Sequence, residues 1–251
     1  MEESIHCPKC SNDYIDTFLV VEVNEAFFNC CEIKCDRGHK FRLAVFTPKS
    51  DYLFQNAIKS FNEKNYSECF LMLYSGYESY MKMFVSAFYY HLLRDMDAVD
   101  SILKSVKTSE RIKGAFFTAY ASLFNEICSD KVENKHTSLR NKVVHQGYLP
   151  SETECLNMGN DILDLVLKVN DKYLQLSLAS QLKIKDFLDY NRCRMEHKLK
   201  KYDISLNTSR PLDHLPLDRN IGIYSPGSQL EKFPEKPFSS LIEKSKPLHC
   251  S

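Results

Sequence analysis

The spacing of hydrophobic positions changes near residue 48 and divides the chain into two kinds of structure. Before this point, short runs rich in β-branched and aromatic residues, FLVVEVNEAFF, CEIKC and GHKFRLAVF, predict β-strands. After Pro48 the apolar residues follow the helical period, as in the stretch LFQNAIKSF. We therefore predict a small β-rich domain over residues 1–48, followed by a mainly α-helical domain.

Helical patterns continue over residues 49–201. The first helix is predicted to end around Asn62–Asn65. The second is predicted to begin near Tyr66 and to run through CFLMLYSGYESYMKMFVSAFYYHLL. Because this second segment is apolar around most of its circumference, we expect it in the middle of a helical bundle.

Turn and capping signals mark the later part of the helical domain. Gly147 and Pro150 stop the helix that carries SLRNKVVH, and SETE directly after Pro150 is a capping-box pattern that starts a long last helix. A break is expected near Asn170, and the helical spacing ends at about residue 201. Residues 202–251 hold most of the prolines and few periodic apolar positions, which predicts an irregular or partly disordered tail.

Composition restricts the possible locations and partners. Lys and Arg together number 33 and Asp and Glu number 33, so no global charge draws the chain onto nucleic acid or an anionic membrane. Apolar runs are shorter than the roughly 20 residues that cross a bilayer, and the acidic start MEE is unlike a signal peptide. Five of the ten cysteines lie between Cys7 and Cys35, and the spacing indicates metal ligands and reduced thiols. We expect a cytoplasmic protein with no membrane partner.

The N-terminal cysteines predict a small zinc ribbon. Cys7 and Cys10 place two thiolates on one tight turn, the usual first half of a structural zinc site. Cys35 and His39 flank a second turn and are the favoured second half. The alternative second pair is Cys31 with Cys35, since three intervening residues also span a tetrahedral site. Four protein ligands leave no open position for water, so the zinc is expected to be structural.

A second candidate site is the segment RNKVVH, which holds Arg140, Asn141 and His145. An imidazole exchanges protons near neutral pH and a guanidinium stabilises phosphate charge, which together suffice for RNA cleavage without a metal. On a regular helix Arg140 points roughly 140° away from His145, so local unwinding at the helix end is expected to bring them together. The same spacing recurs at Arg192 and His197, inside a charge run typical of a solvated helix end.

The helical domain resembles the HEPN family (higher eukaryotes and prokaryotes nucleotide-binding). LRNKVVHQGYLPSETE followed by DILDLVLKV resembles the family's Arg-polar-x-x-x-His junction before its last long helix, and FNEKNYSECFLMLYSGYESYMK resembles its opening helical pair. The resemblance implies a homodimer that cuts RNA without a metal. It assigns His145 as general base or acid, Arg140 as the group that stabilises phosphate charge, and Asn141 as a phosphate-orienting group. Glu78 resembles an acidic position that would hold Arg140 or His145.

The resemblance also suggests a toxin or anti-phage defence effector with an antitoxin or another defence protein as partner. Family toxins paired with a nucleotidyltransferase carry a tyrosine two residues after the histidine, whereas Tyr148 stands three after His145, so that pairing is not expected. The alternative is a non-catalytic scaffold or nucleotide- or RNA-binding module. Arg140 would then be a surface salt-bridge partner, His145 a helix-terminal cation, and Glu78 a hydrogen-bond partner of a neighbouring tyrosine.

Overall fold

The computed structural model is mainly helical, with a small antiparallel β region at the N-terminus. It describes residues 2–12, 18–129, 132–180, 190–202 and 237–245. The chain forms two compact units. The first unit contains the described residues up to Pro48 together with residues 190–202, and the second unit contains the other described residues.

Two short β-hairpins form the frame of the first unit. Its elements before Pro48 are β1 (Glu2–His6), α1 (Pro8–Asn12), β2 (Phe18–Glu22), β3 (Glu32–Lys34) and β4 (Lys40–Arg42). β1 pairs with β2 and β3 with β4, both antiparallel, and Ile5 lies opposite Leu19 with both side chains buried. The predicted β-rich character of this segment is confirmed.

A helix from late in the chain completes the first unit. Helix α8 (Tyr190–Lys200) buries Met195 and Leu199, and these side chains form a small apolar cluster with residues of the ribbon, namely Cys30, Ala44 and Phe46. The sequence pattern predicts this segment as the last part of the bundle over residues 49–201, whereas in the structure it belongs to the first unit. Spacing alone cannot distinguish the bundle from the ribbon, because both offer an apolar surface to the same stripe.

The second unit is a bundle of helices around α3. Its elements are α2 (Lys49–Asn62), α3 (Tyr66–Leu93), α4 (Met96–Ser105), α5 (Ser109–Phe124), α6 (Glu133–Gln146), α7 (Glu152–Ser180) and α9 (Pro237–Ser245). Helix α3 contacts α2, α4, α5, α6 and α7 and buries large side chains such as Tyr77, Tyr80 and Phe84. Its central position is the one that its apolar circumference predicts.

The caps and breaks of these helices follow local chemistry with one exception. Asn65 caps α3 through its side chain, which accepts from the Glu68 amide. The predicted capping box of α7 is present, since Ser151 Oγ and the Glu154 carboxylate each bond to the other residue's backbone amide. The prediction of a break near Asn170 is wrong. Helix α7 continues through it, and the Asn170 side chain accepts a 3.0 Å hydrogen bond from the Tyr80 hydroxyl.

Part of the predicted irregular tail is a helix. In α9, Phe238 and Ile242 are buried against the bundle, and α9 contacts α7 and α2. The stripe in PFSSLIEKS is the sequence signal for it, and the rest of residues 203–251 lies outside the described residues. Among the described residues, no helix combines the length and apolarity needed to cross a membrane.

Candidate functional site

Two turns of the first unit carry the predicted metal ligands. Cys7 directly follows β1 and Cys10 lies in α1, so one short turn presents both sulfurs. Cys35 and His39 bracket the turn between β3 and β4, where the Cys35 amide donates to the His39 carbonyl at 3.0 Å. Gly38 takes the left-handed conformation (φ +83°) that this turn needs, and its amide donates to the Cys35 carbonyl.

The four side chains converge on one point. Cys10 Sγ lies 3.9 Å from Cys35 Sγ and 3.3 Å from His39 Nδ1, and Cys7 Sγ lies 3.7 Å from the same nitrogen. All four ligand atoms lie within 4.8 Å of one another. A tetrahedral zinc ion with bonds of about 2.3 Å to sulfur and about 2.0 Å to nitrogen requires a distance of about 3.8 Å between two sulfurs and about 3.5 Å between sulfur and nitrogen. The donor set and its spacing therefore fit a metal ion of this type.

The electrostatics of these thiols depend on burial and hydrogen bonding. Burial raises the pKa of Cys7. Burial also acts to raise the pKa of Cys35, but hydrogen bonds from the His39 and Arg37 backbone and from the neighbouring thiols outweigh it and lower that pKa. Cys31 lies outside the cluster, and its carbonyl accepts from the Leu43 amide. The geometry thus brings His39, rather than Cys31, to the second half of the site.

The Arg140–His145 segment lies on a regular helix. Helix α6 continues through Gln146 and ends at Gly147 (φ +66°). The amides of Gly147 and Tyr148 both donate to the Lys142 carbonyl. This Gly-terminated end is a Schellman-type cap. The expected unwinding near His145 is absent because the cap satisfies the helix end without it. Arg140 and His145 of one chain consequently project about 140° apart.

Arg140 belongs to a polar network that includes a buried lysine. Its guanidinium lies 5.6 Å from the Tyr74 ring and donates to Asn141 Oδ1 at 3.2 Å. The Tyr74 hydroxyl lies 3.3 Å from Thr137 Oγ1, which also accepts from Lys113 Nζ at 2.9 Å. Lys113 is only 7% exposed. Sequence reasoning missed Lys113, and its one signal is a lysine on the apolar face of α5.

The other two predicted residues have different surroundings. His145 is exposed, and within the described part of the chain its imidazole has no hydrogen-bond partner. The Glu78 carboxylate accepts from the Ser109 hydroxyl at the start of α5. Within one chain the described contacts therefore do not bring Glu78 to Arg140 or His145, and they do not pair it with a neighbouring tyrosine.

A histidine without a recognisable sequence pattern links α6 to α7. His136 is 1% exposed, and its Nε2 lies 2.7 Å from the Asp161 carboxylate. Its other ring nitrogen is buried and has no hydrogen-bond partner in the part of the chain that the structure describes. This contact holds the helix that carries Arg140 against the long helix that follows it.

Comparison of the chain with protein-family models, with curated proteins and with solved structures finds no match in any of the three. A functional assignment therefore depends on the side chains of this chain and on what their chemistry supports.

Proposed function

We propose that the protein is a metal-independent endoribonuclease of the HEPN type that acts as a homodimer and carries a structural zinc in its N-terminal ribbon. The observation that supports it best is the segment Arg140–Asn141–His145 near the end of α6, shortly before the long helix α7, with Arg140 half-buried and Asn141 and His145 exposed. Its cellular role would be that of a cytoplasmic toxin or anti-phage effector, controlled by an antitoxin or another defence protein.

The surroundings of Arg140 favour this function over a surface ion pair. An arginine that only stabilises a helix surface is expected beside a carboxylate, as Arg192 is beside Glu196 at 3.0 Å. Arg140 forms no ion pair with any described residue and instead lies against Tyr74. A guanidinium without a fixed carboxylate partner keeps its fork of donors for a phosphate.

The chemistry follows from the two groups. His145 removes the proton of a ribose 2′-hydroxyl, and the 2′-oxygen attacks the adjacent phosphorus. The bond from phosphorus to the 5′-oxygen breaks, and that oxygen takes a proton from an imidazolium. The products are a 2′,3′-cyclic phosphate and a 5′-hydroxyl. Arg140 donates to the non-bridging oxygens as charge builds on them, and Asn141 is held beside it by the guanidinium.

The divergence of Arg140 and His145 on one helix supports a shared site. Two copies facing each other across α6 would supply the arginine of one chain and the histidine of the other to the same phosphate. The apolar side chains around His145 fit such a contact, because Val144 is 44% and Tyr148 is 41% exposed. Covering them would remove apolar surface from water.

The test is cleavage of single-stranded RNA by zinc-loaded protein in EDTA, after gel filtration to remove unbound metal. Zinc content is measured in parallel, so that activity lost because the ribbon unfolds is not attributed to removal of a catalytic metal. His145→Ala and Arg140→Ala are each expected to lower kcat by about 10²–10⁴-fold. Arg111→Ala, at an exposed arginine of α5, is the matched control and should keep wild-type activity.

The product ends decide the mechanism. Cyclic phosphate termini, together with protection by a 2′-deoxy nucleotide at the cleaved position, are the expected result. Wild-type protein that is as inert as both variants on varied RNAs, and harmless when expressed, would refute the proposal and favour a scaffold.

A further inference from the structure

Helix α8 is fixed onto the ribbon of the first unit. Its buried Met195 brings Sδ to 3.6 Å from Cys30 Sγ, and its Lys198 donates to the Asn29 side chain. The chain just after the helix also contacts the ribbon, since the Arg42 guanidinium lies 3.7 Å from the centre of the Tyr202 ring. Contacts from two distant parts of the sequence thus set where the charged side chains of α8 lie.

Positive charges from both parts meet at this junction. Burial raises the pKa of the Cys30 thiol, and the charges that oppose this effect are those of Lys198, Arg194 and Arg42. Three cations from β4 and α8 therefore lie within electrostatic range of one sulfur. Lys200 and Lys201 follow directly on the chain and are exposed. We call the six residues Arg42, Arg194, Lys198, Lys200, Lys201 and Tyr202 the basic face.

Cations outnumber carboxylates in this part of the chain, with five lysines and arginines and one acidic residue from Tyr190 to Tyr202. Glu32 lies 3.2 Å from Lys40 and 3.9 Å from Arg42, and Glu196 pairs with Arg192. No other acidic residue occurs between Tyr190 and Tyr202. Gathering cations costs electrostatic free energy that an anionic ligand would recover. The local charge contrasts with a whole chain whose formal net charge is zero.

The contact between Arg42 and Tyr202 in the basic face indicates the class of ligand. Tyr202 is 51% exposed although Arg42 covers one side of its ring. An exposed aromatic ring next to cations provides stacking for a base and neutralisation for its phosphate. An anionic membrane would instead require several bulky apolar side chains beside the cations. The basic face has Tyr202 alone.

We propose that the basic face binds single-stranded RNA, with Tyr202 stacking on a base and the lysines and arginines contacting successive phosphates. This inference rests on the proposed function only in choosing RNA as the polymer, because the surface belongs to the first unit and Arg140 to the second. It assigns a binding role to a helix whose sequence alone indicates a solvated end.

The test is fluorescence anisotropy with a labelled single-stranded RNA and the full-length, zinc-loaded chain carrying His145→Ala to prevent cleavage. Lys200→Gln with Lys201→Gln is expected to lower the slope of log affinity against log salt by about 1.4, from about 0.7 per phosphate contact on a single strand. Tyr202→Ala should weaken binding about tenfold, and Tyr202→Phe should restore it. The matched control is Lys82→Gln with Lys104→Gln, two exposed lysines of the bundle.

Each outcome tests RNA binding by the basic face independently of the proposed nuclease activity. Basic-face variants that bind RNA as tightly as the control, with an unchanged salt slope, overturn the basic face even if Arg140 and His145 prove catalytic. Loss of binding in those variants supports it, even if the wild-type chain cuts nothing. Tighter binding to anionic phospholipid vesicles than to RNA, lost in the same variants, also overturns it.

Discussion

Replacing Cys10 with serine is the sharpest perturbation of the first unit. Cys10 Sγ is the sulfur that approaches both ligand atoms of the second turn, Cys35 Sγ at 3.9 Å and His39 Nδ1 at 3.3 Å. Serine keeps the size of the side chain but removes the thiolate. We expect loss of the metal and unfolding of the first unit, while the bundle stays folded.

The expected size of the effect follows from what holds the first unit together. Its strands have three to five residues, and its two sheets have two strands each. A core in a unit under about 70–80 residues rarely supplies more than about 3–5 kcal/mol. A structural zinc site supplies about 10–16 kcal/mol of apparent binding free energy at pH 7. Since strands this short leave little net stability once the metal is removed, the metal-free unit is expected to be unfolded.

The assay combines zinc content with hydrogen exchange measured by peptide mass spectrometry. Wild-type protein should hold one zinc per chain and protect the amides of β3 and β4. Cys10→Ser should lose both the zinc and this protection, and amides of α3 and α7 should remain protected. Cys31→Ser is the matched control, since Cys31 lies nearby but outside the cluster.

Two results would refute this reasoning. The first is equal loss of zinc in the two variants, which would place Cys31 among the ligands. The second is protection of β3 and β4 in protein shown to be free of metal, which would mean that the core alone holds the unit.

Three further predictions concern the bundle. Gly159→Ala should lower stability by about 1–3 kcal/mol in urea unfolding, because its Cβ would lie 2.4 Å from the buried ring of Phe238. Glu126→Gln should lower stability only slightly at pH 7, because its ion pair with Lys172 lies near the surface. A hydrogen bond from Lys172 lowers the pKa of Glu126, so the stability it adds is lost as the pH falls through that lowered pKa. In urea unfolding, the difference from wild type should shrink as the pH is lowered from 7 into the range where Glu126 becomes protonated. Lys113→Met should keep or raise the melting temperature in thermal unfolding followed by circular dichroism, because it replaces a buried cation by an apolar side chain of similar length.

Features encoded over a few neighbouring residues were predictable. The turn at Cys35 and His39 needs only a glycine between two short strands. Together with the short turn from Cys7 to Cys10, it is enough to indicate four ligands. The cap of α3 at Asn65 and the capping box at the start of α7 are likewise local patterns.

Features set by packing between distant segments were not predictable. His136 and Asp161 are 25 residues apart and meet only because the tertiary fold brings their two helices together at this point. Lys113 of α5 likewise reaches Thr137 of α6 only in the folded bundle, and neither pair has a spacing that marks it in the sequence. The position of α8 is a third case, since its apolar stripe fits a bundle as well as a ribbon.

The metal cluster and the basic face depend on the same hairpin. β4 begins directly after His39 and carries Arg42, and Cys30, which contacts Met195 of α8, lies shortly before β3. A metal ion that fixes Cys35 and His39 therefore also fixes the surface on which α8 packs. If the ribbon unfolds without its metal, α8 loses that surface and the cations separate. The Cys10→Ser protein should then lose RNA affinity with its zinc, although it keeps every cation of the basic face. Charge alone would predict unchanged binding, so this result distinguishes a folded surface from a merely basic segment.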